Sequence, residues 1–178
     1  MALKKYFAKR AIRHAAKTNS KRERTIRALG AGIKIGIVFQ AEDPAQRSLM
    51  EKMREELVKE GALVSLTGYF TTKEFPEKLV FKPGFDYLKK QDLDWKGLPN
   101  DSVIQKLNAS NLDILISLSA EEDFALLSLA ARSKAGYRIG AYFPAYTSCF
   151  DFMLDLGDKK TNDNLVKLCL HYLKHIKQ

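Results

Sequence analysis

The stretch Leu112-Asp113-Ile114-Leu115-Ile116-Ser117-Leu118 limits the possible folds of this chain more than any other. It is almost continuously apolar where a half-solvated strand would alternate, so it predicts a central parallel strand covered on both faces. A parallel strand reaches its neighbour only through a crossover, and the surrounding sequence supplies helices for that purpose. Ile33-Lys34-Ile35-Gly36-Ile37-Val38-Phe39 is a second strand, rich in β-branched residues. Asp43, Pro44 and Gln46 then supply an N-cap, a first-position proline and a capping-box partner for a helix to about Glu60. Leu49, Met50, Met53, Leu57 and Val58 form its apolar stripe, Gly61 ends it, and Ala62 to Phe70 reads as the next strand.

The remainder continues the alternation. Between Thr71 and Pro99 no period is sustained, and the segment predicts one short strand, Lys78 to Phe81, with a turn at Lys82-Pro83-Gly84. A short helix spans Asp101 to Ala109. Ser119 with Glu122 has capping-box spacing and opens a helix carrying Phe124, Leu126, Leu127, Leu129 and Ala130 that stops at Gly136. Tyr137 to Phe143 and Cys149 to Leu156 read as strands. A last helix from Asn162 to Ile176 buries Leu165, Leu168, Cys169, Tyr172, Leu173 and Ile176. The pattern predicts an α/β fold with a single doubly wound, mostly parallel sheet of about five strands, Rossmann-like or flavodoxin-like. A length of 178 residues suits one such unit, and no apolar run reaches the 18 residues of a spanning helix.

Charge divides the chain differently. Lys and Arg number 30 against 21 Asp and Glu, a formal net charge of +9. Residues 1–30 contain ten of these cations, Lys4, Lys5, Lys9, Arg10, Arg13, Lys17, Lys21, Arg22, Arg24 and Arg27, with Glu23 as the one acid, and so carry the whole excess. Residues 31–178 are balanced. The division predicts a basic helical arm over 1–30 attached to an α/β domain over 31–178. Ala2 to Ala16 lacks Gly and Pro and is rich in good helix formers. Leu3, Tyr6 and Phe7 share one side of that helix, but Arg10, His14 and Lys17 continue it, so the stripe is not the clean apolar face of a membrane-surface helix. Thr18-Asn19-Ser20 reads as a break before a second basic helix through Arg27.

Ten cations in thirty residues suit phosphate backbone contact, and the favoured partner is RNA, including ribosomal RNA, or a ribonucleoprotein. An anionic membrane surface gripped through Leu3, Tyr6 and Phe7 is a second possibility. A third is a solvated helix that packs those three residues on the domain. The arm has no apolar core of the kind a secretory signal needs, and it is poorer in Ser than a mitochondrial presequence. Cys149 and Cys169 lie in apolar surroundings outside any metal-ligand spacing, which points to a reduced, cytoplasmic compartment.

Three further stretches carry a resemblance: Gln91-Asp92-Leu93-Asp94-Trp95-Lys96-Gly97-Leu98-Pro99, the Leu112–Leu118 run, and Ser133-Lys134-Ala135-Gly136-Tyr137-Arg138-Ile139-Gly140. In that order, behind a basic N-terminus, they resemble an uncharacterised protein family of Bacteroidota, which implies a cytoplasmic bacterial protein and no particular activity. The second and third are also similar in style to the N-terminal half of heptosyltransferase-type glycosyltransferases. Those enzymes bind the nucleotide-sugar mainly through a second domain, for which this chain has no room.

In such folds ligands sit beyond the carboxyl ends of the strands, which places Gln40, Ser119, Glu122 and Tyr142 on a candidate ligand rim. A nucleotide or nucleotide-sugar there is the alternative function. However, the first strand is not followed by a phosphate-binding glycine motif, and Glu42, Asp43, Glu121, Glu122 and Asp123 would repel phosphate at both helix starts. The same acids suggest cation binding or acid–base chemistry only in outline, so no catalytic residue, cofactor or metal is assigned. His171 and His175 lie four apart on one helix without a third ligand. Trp95 is expected to anchor an irregular segment on the core, the alternative being part of a binding surface.

Overall fold

The computed structural model describes residues 2–176. Its two central strands are those with the most continuous apolar sequence, β1 (Lys34–Gln40) and β4 (Ile114–Leu118), which pair in parallel with Ile37 opposite Ile116. Outward from them lie β2 (Leu63–Tyr69) and β3 (Phe85–Leu88) on one side, and β5 (Tyr137–Ala141) and β6 (Phe152–Leu154) on the other. All pairs are parallel and the order is β3-β2-β1-β4-β5-β6. This is the Rossmann order, not the flavodoxin-like one, and the direction of winding switches between β1 and β4.

The sheet has six strands, against the expected five or so, and the third lies after the turn instead of before it. Lys78–Phe81 is irregular, with Val80 and Phe81 exposed. Phe85 N–H donates to Lys82 carbonyl across the Lys82–Phe85 turn, and only beyond it does the backbone reach β2, through Leu66 N–H to Gly84 carbonyl. On one face α2 (Pro44–Lys59) and α5 (Asn162–His175) bury Met50, Met53, Leu57, Leu165 and Cys169 over Ile35, Ile37 and Phe39. On the other, α3 (Asp101–Ala109), α4 (Phe124–Arg132) and α1 (Ala2–Thr18) cover Val38, Tyr69 and Leu115. Asp123, not Ser119, caps α4 through the Leu126 N–H at 2.9 Å, while the Ser119 hydroxyl turns back to the Glu121 carbonyl.

Residues on both sides of Gly30 share one core. Helix α1 buries Ala8, Ile12 and Ala16, four apart on one face, against α4; the two alanines let the helices approach closely and Ile12 fills the space between them. Leu3, Tyr6 and Phe7 are exposed instead of packed inward. The expected second basic helix is absent: after a 3-10 turn at Asn19–Lys21 the chain runs without regular structure along the amino ends of the strands. Asn19 Nδ2 donates to the carbonyls of Ala131 and Ser133, closing the end of α4. Thr25 N–H donates to Gly136 carbonyl at 3.2 Å and Arg27 pairs with Asp113 at 2.9 Å.

The strap is fastened most tightly at Asp151. That carboxylate is 3% exposed and pairs with Arg22, whose side chain is 7% exposed, and with Arg138, which is 1% exposed. Its Oδ2 also accepts the Arg138 N–H at 2.9 Å, and Arg24 Nε lies 3.2 Å from Oδ1. Arg22 Nε donates to Ala135 carbonyl, and Arg138 Nη1 to Ala130 carbonyl at 3.0 Å. Burial, and then the neighbouring charge of Arg22, push the Arg138 guanidinium below its usual range. Removing the one carboxylate would leave two buried cations unpaired, which typically costs about 3–5 kcal/mol. Asp151→Ala should lower folding stability by that amount in urea titration. Deletion of residues 1–30 should abolish cooperative unfolding altogether, because α4 loses its cover.

Candidate nucleic-acid interface

With Ala8, Ile12 and Ala16 turned inward, helical geometry directs Leu3, Tyr6, Arg10, Arg13 and Lys17 outward, at spacings of three and four. Of the ten cations between Lys4 and Arg27, Arg22, Arg24 and Arg27 are engaged with Asp151 and Asp113. The other seven, Lys4, Lys5, Lys9, Arg10, Arg13, Lys17 and Lys21, are exposed, and none pairs with a carboxylate among the described residues. Lys9 Nζ lies 5.8 Å from the Phe124 ring and the Arg13 guanidinium 5.9 Å from the Tyr146 ring. Those contacts seat two of the charges without neutralising them.

Beside the first turn of α1 stands the loop between β3 and α3. Asp94 Oδ1 accepts from the Lys96 N–H at 2.8 Å and the Leu98 N–H at 3.0 Å. Gly97 N–H donates to Asp94 carbonyl at 2.9 Å, and Gly97 takes φ +80°, a left-handed backbone that suits glycine. The turn is closed by Leu98, which is buried, and it holds Trp95 at its tip, 66% exposed. Trp95 therefore does not anchor the segment on the core. It meets the Phe7 ring edge-on at 5.7 Å, and Phe7 meets Tyr6 in the same way at 5.6 Å. Asp at the first and Gly at the fourth position is a turn signature, and it was the available signal that Trp95 sits outward. A cleft of about 350 Å³ runs between this loop and α1, floored by Ala11 and Ala15 and walled by Pro99 and Arg132.

The carboxyl ends of the strands are chemically the opposite. Gln40 and Ser119 line a cleft of about 180 Å³ at the switch between β1 and β4. Glu122 and Tyr142 line an adjoining cavity of about 660 Å³, which also carries Glu121, Asp155 and Lys160. The four rim residues thus fall in two neighbouring pockets. Two backbone donors there are occupied, since Asn162 Oδ1 accepts the Ala120 N–H at 2.7 Å and Asp43 the Ala45 N–H at 2.8 Å, and Pro44 has none to offer. Burial, with Asp123 and Glu42 nearby, pushes the Tyr69 hydroxyl up to about 12, and burial raises Asp123 itself. These acids disfavour a phosphate at the rim. Burial likewise pushes the Cys149 thiol up to about 11 and Cys169 to about 12, far from the range of a nucleophile. The rings of His171 and His175 lie 4.4 Å apart, and no cluster of three metal-ligating side chains occurs among the described residues.

The fold and surface define a doubly wound α/β protein whose amino-terminal helix is part of its cover and presents an unpaired cationic face. The chain belongs to a family of unknown function, DUF6913, whose model matches residues 4–176 and so takes in α1 and the strap together with the sheet. No curated protein matches it. Among the described residues no helix is long and apolar enough to cross a membrane.

Because burial raises Asp123 in the folded state, the folded chain holds that proton more tightly than the unfolded one. The group favours folding most at acid pH, and its contribution is lost as pH rises from about 4. Asp123→Asn keeps the cap on Leu126 and removes the charge. Urea midpoints should show the variant gaining on the wild type between pH 4 and 7, and a constant difference would contradict the assignment.

Proposed function

We propose that this protein is a binding module that contacts RNA, alone or within a ribonucleoprotein, through the outer face of α1. The observation that carries the reading is the set of seven exposed cations from Lys4 to Lys21 with no acidic partner within salt-bridge distance among the described residues. Unpaired cations held on a rigid helix raise the local potential and attract polyanions, and phosphates satisfy them without base recognition. The three arginines beyond Lys21 hold the helix in place and take no part in the contact. The acidic side chains at the strand ends weigh against a nucleotide-sugar ligand at the rim. The free, buried cysteines accord with a reducing cytoplasmic setting.

If about six of the cations meet phosphates, log K for structured RNA should fall against log salt with a slope of about −4 to −5. The variant Lys5→Gln, Arg10→Gln, Lys17→Gln removes three charges that support no described ion pair. Fluorescence anisotropy across a salt series should show weaker binding and a slope smaller in magnitude by about 2. Unchanged affinity and slope would contradict the proposal.

A further inference from the structure

We infer that the RNA held by α1 is single-stranded and that one of its bases stacks on Trp95. This rests on the reading of α1 as an RNA-contacting helix and adds what lies at its end. The turn that holds Trp95 outward is fixed by hydrogen bonds from the Lys96 and Leu98 N–H groups to the Asp94 carboxylate and by the left-handed Gly97. Phe7 and Tyr6 continue the aromatic surface in edge contacts, and Trp95 stays 66% exposed beside them.

Cations flank the aromatics: the end of the unpaired Lys4 side chain lies against Gly97, and Lys96 Nζ, paired with Asp94 at 3.0 Å, lies 5.8 Å from the Trp95 ring. An aromatic platform next to a cationic track is the arrangement that holds a strand by its phosphates and an unpaired base by its face. A duplex buries its base faces in its own stack and could use only the track.

The same cations and aromatics would suit an anionic membrane less well. A helix lying in a bilayer surface needs an apolar stripe along its length. In α1 that stripe, Ala8, Ile12 and Ala16, is consumed by α4, and the exposed aromatics cluster at one end. The cations of the helix, by contrast, run from Lys4 to Lys17, about 20 Å at 1.5 Å per residue.

Trp95 is the sole tryptophan of the chain, so its emission reports on this site alone. The full chain is titrated with a ten-residue oligouridylate, with an RNA duplex of equal length, and with vesicles containing phosphatidylglycerol. The expected result is that the single strand quenches Trp95 emission, while the duplex binds without quenching. Trp95→Ala should weaken the single strand by about 5- to 150-fold with the salt slope kept, and Trp95→Phe should retain part of the affinity. Single-strand binding with unchanged emission and unchanged Trp95→Ala affinity would overturn the stacking and leave the α1 contact standing. No salt-dependent binding of either RNA would overturn the α1 contact itself. Brighter, blue-shifted emission on vesicles without RNA quenching would replace both with a membrane surface.

Discussion

The carboxylate of Asp151 is the interaction on which the rest depends. It stands immediately before β6, holds the buried Arg138 of β5, and reaches Arg22 of the strap. One acid therefore ties the first thirty residues to the far end of the sheet. Because two buried guanidiniums share it, loss of the carboxylate would leave both without a counter-charge in a dry setting. With the strap fixed there and at Asp113, α1 has one place to lie, along α4, and its register is set by Ala8, Ile12 and Ala16. The direction in which the remaining cations point follows from that seating.

The consequence is a molecule with two unlike surfaces. The α1 face and the Trp95 turn are cationic and aromatic, whereas the carboxyl ends of β4 to β6 gather Glu121, Glu122, Asp155 and Asp158. In a doubly wound fold those strand ends are the usual ligand position. Here Asn162 closes the switch point by bonding both the Ala120 N–H and Gln46. The unpaired charge is found instead on a helix that lies outside the alternation of strands and crossovers.

The strands and crossover helices were legible because their period is strong. Leu112–Leu118 and Ile33–Phe39 became β4 and β1 within two residues, and the capping pattern at Asp43 and Pro44 marked the start of α2. Three features were misread for identifiable reasons. The core face of α1 is built mainly from alanines, which count little in an apolar stripe but pack helices closely. Arg22 and Arg27 read as helix-forming charges, since their partners Asp151 and Asp113 lie 129 and 86 residues away. Trp95 read as an anchor on its apolarity, although Asp94 and Gly97 already specified a turn that turns it outward. Long-range pairing decided the outcome for Arg22 and Arg27, whereas the Trp95 turn was specified locally.

Lysine footprinting of the intact chain tests the central claim most directly, that an RNA partner touches the seated outer face of α1. With saturating RNA, acetylation of Lys4, Lys5, Lys9, Lys17 and Lys21 should fall, while Lys52, Lys160 and Lys167, also exposed but on other surfaces, should react as before. Protection spread evenly over all eight lysines, or confined to Lys160 at the strand ends, would contradict the account.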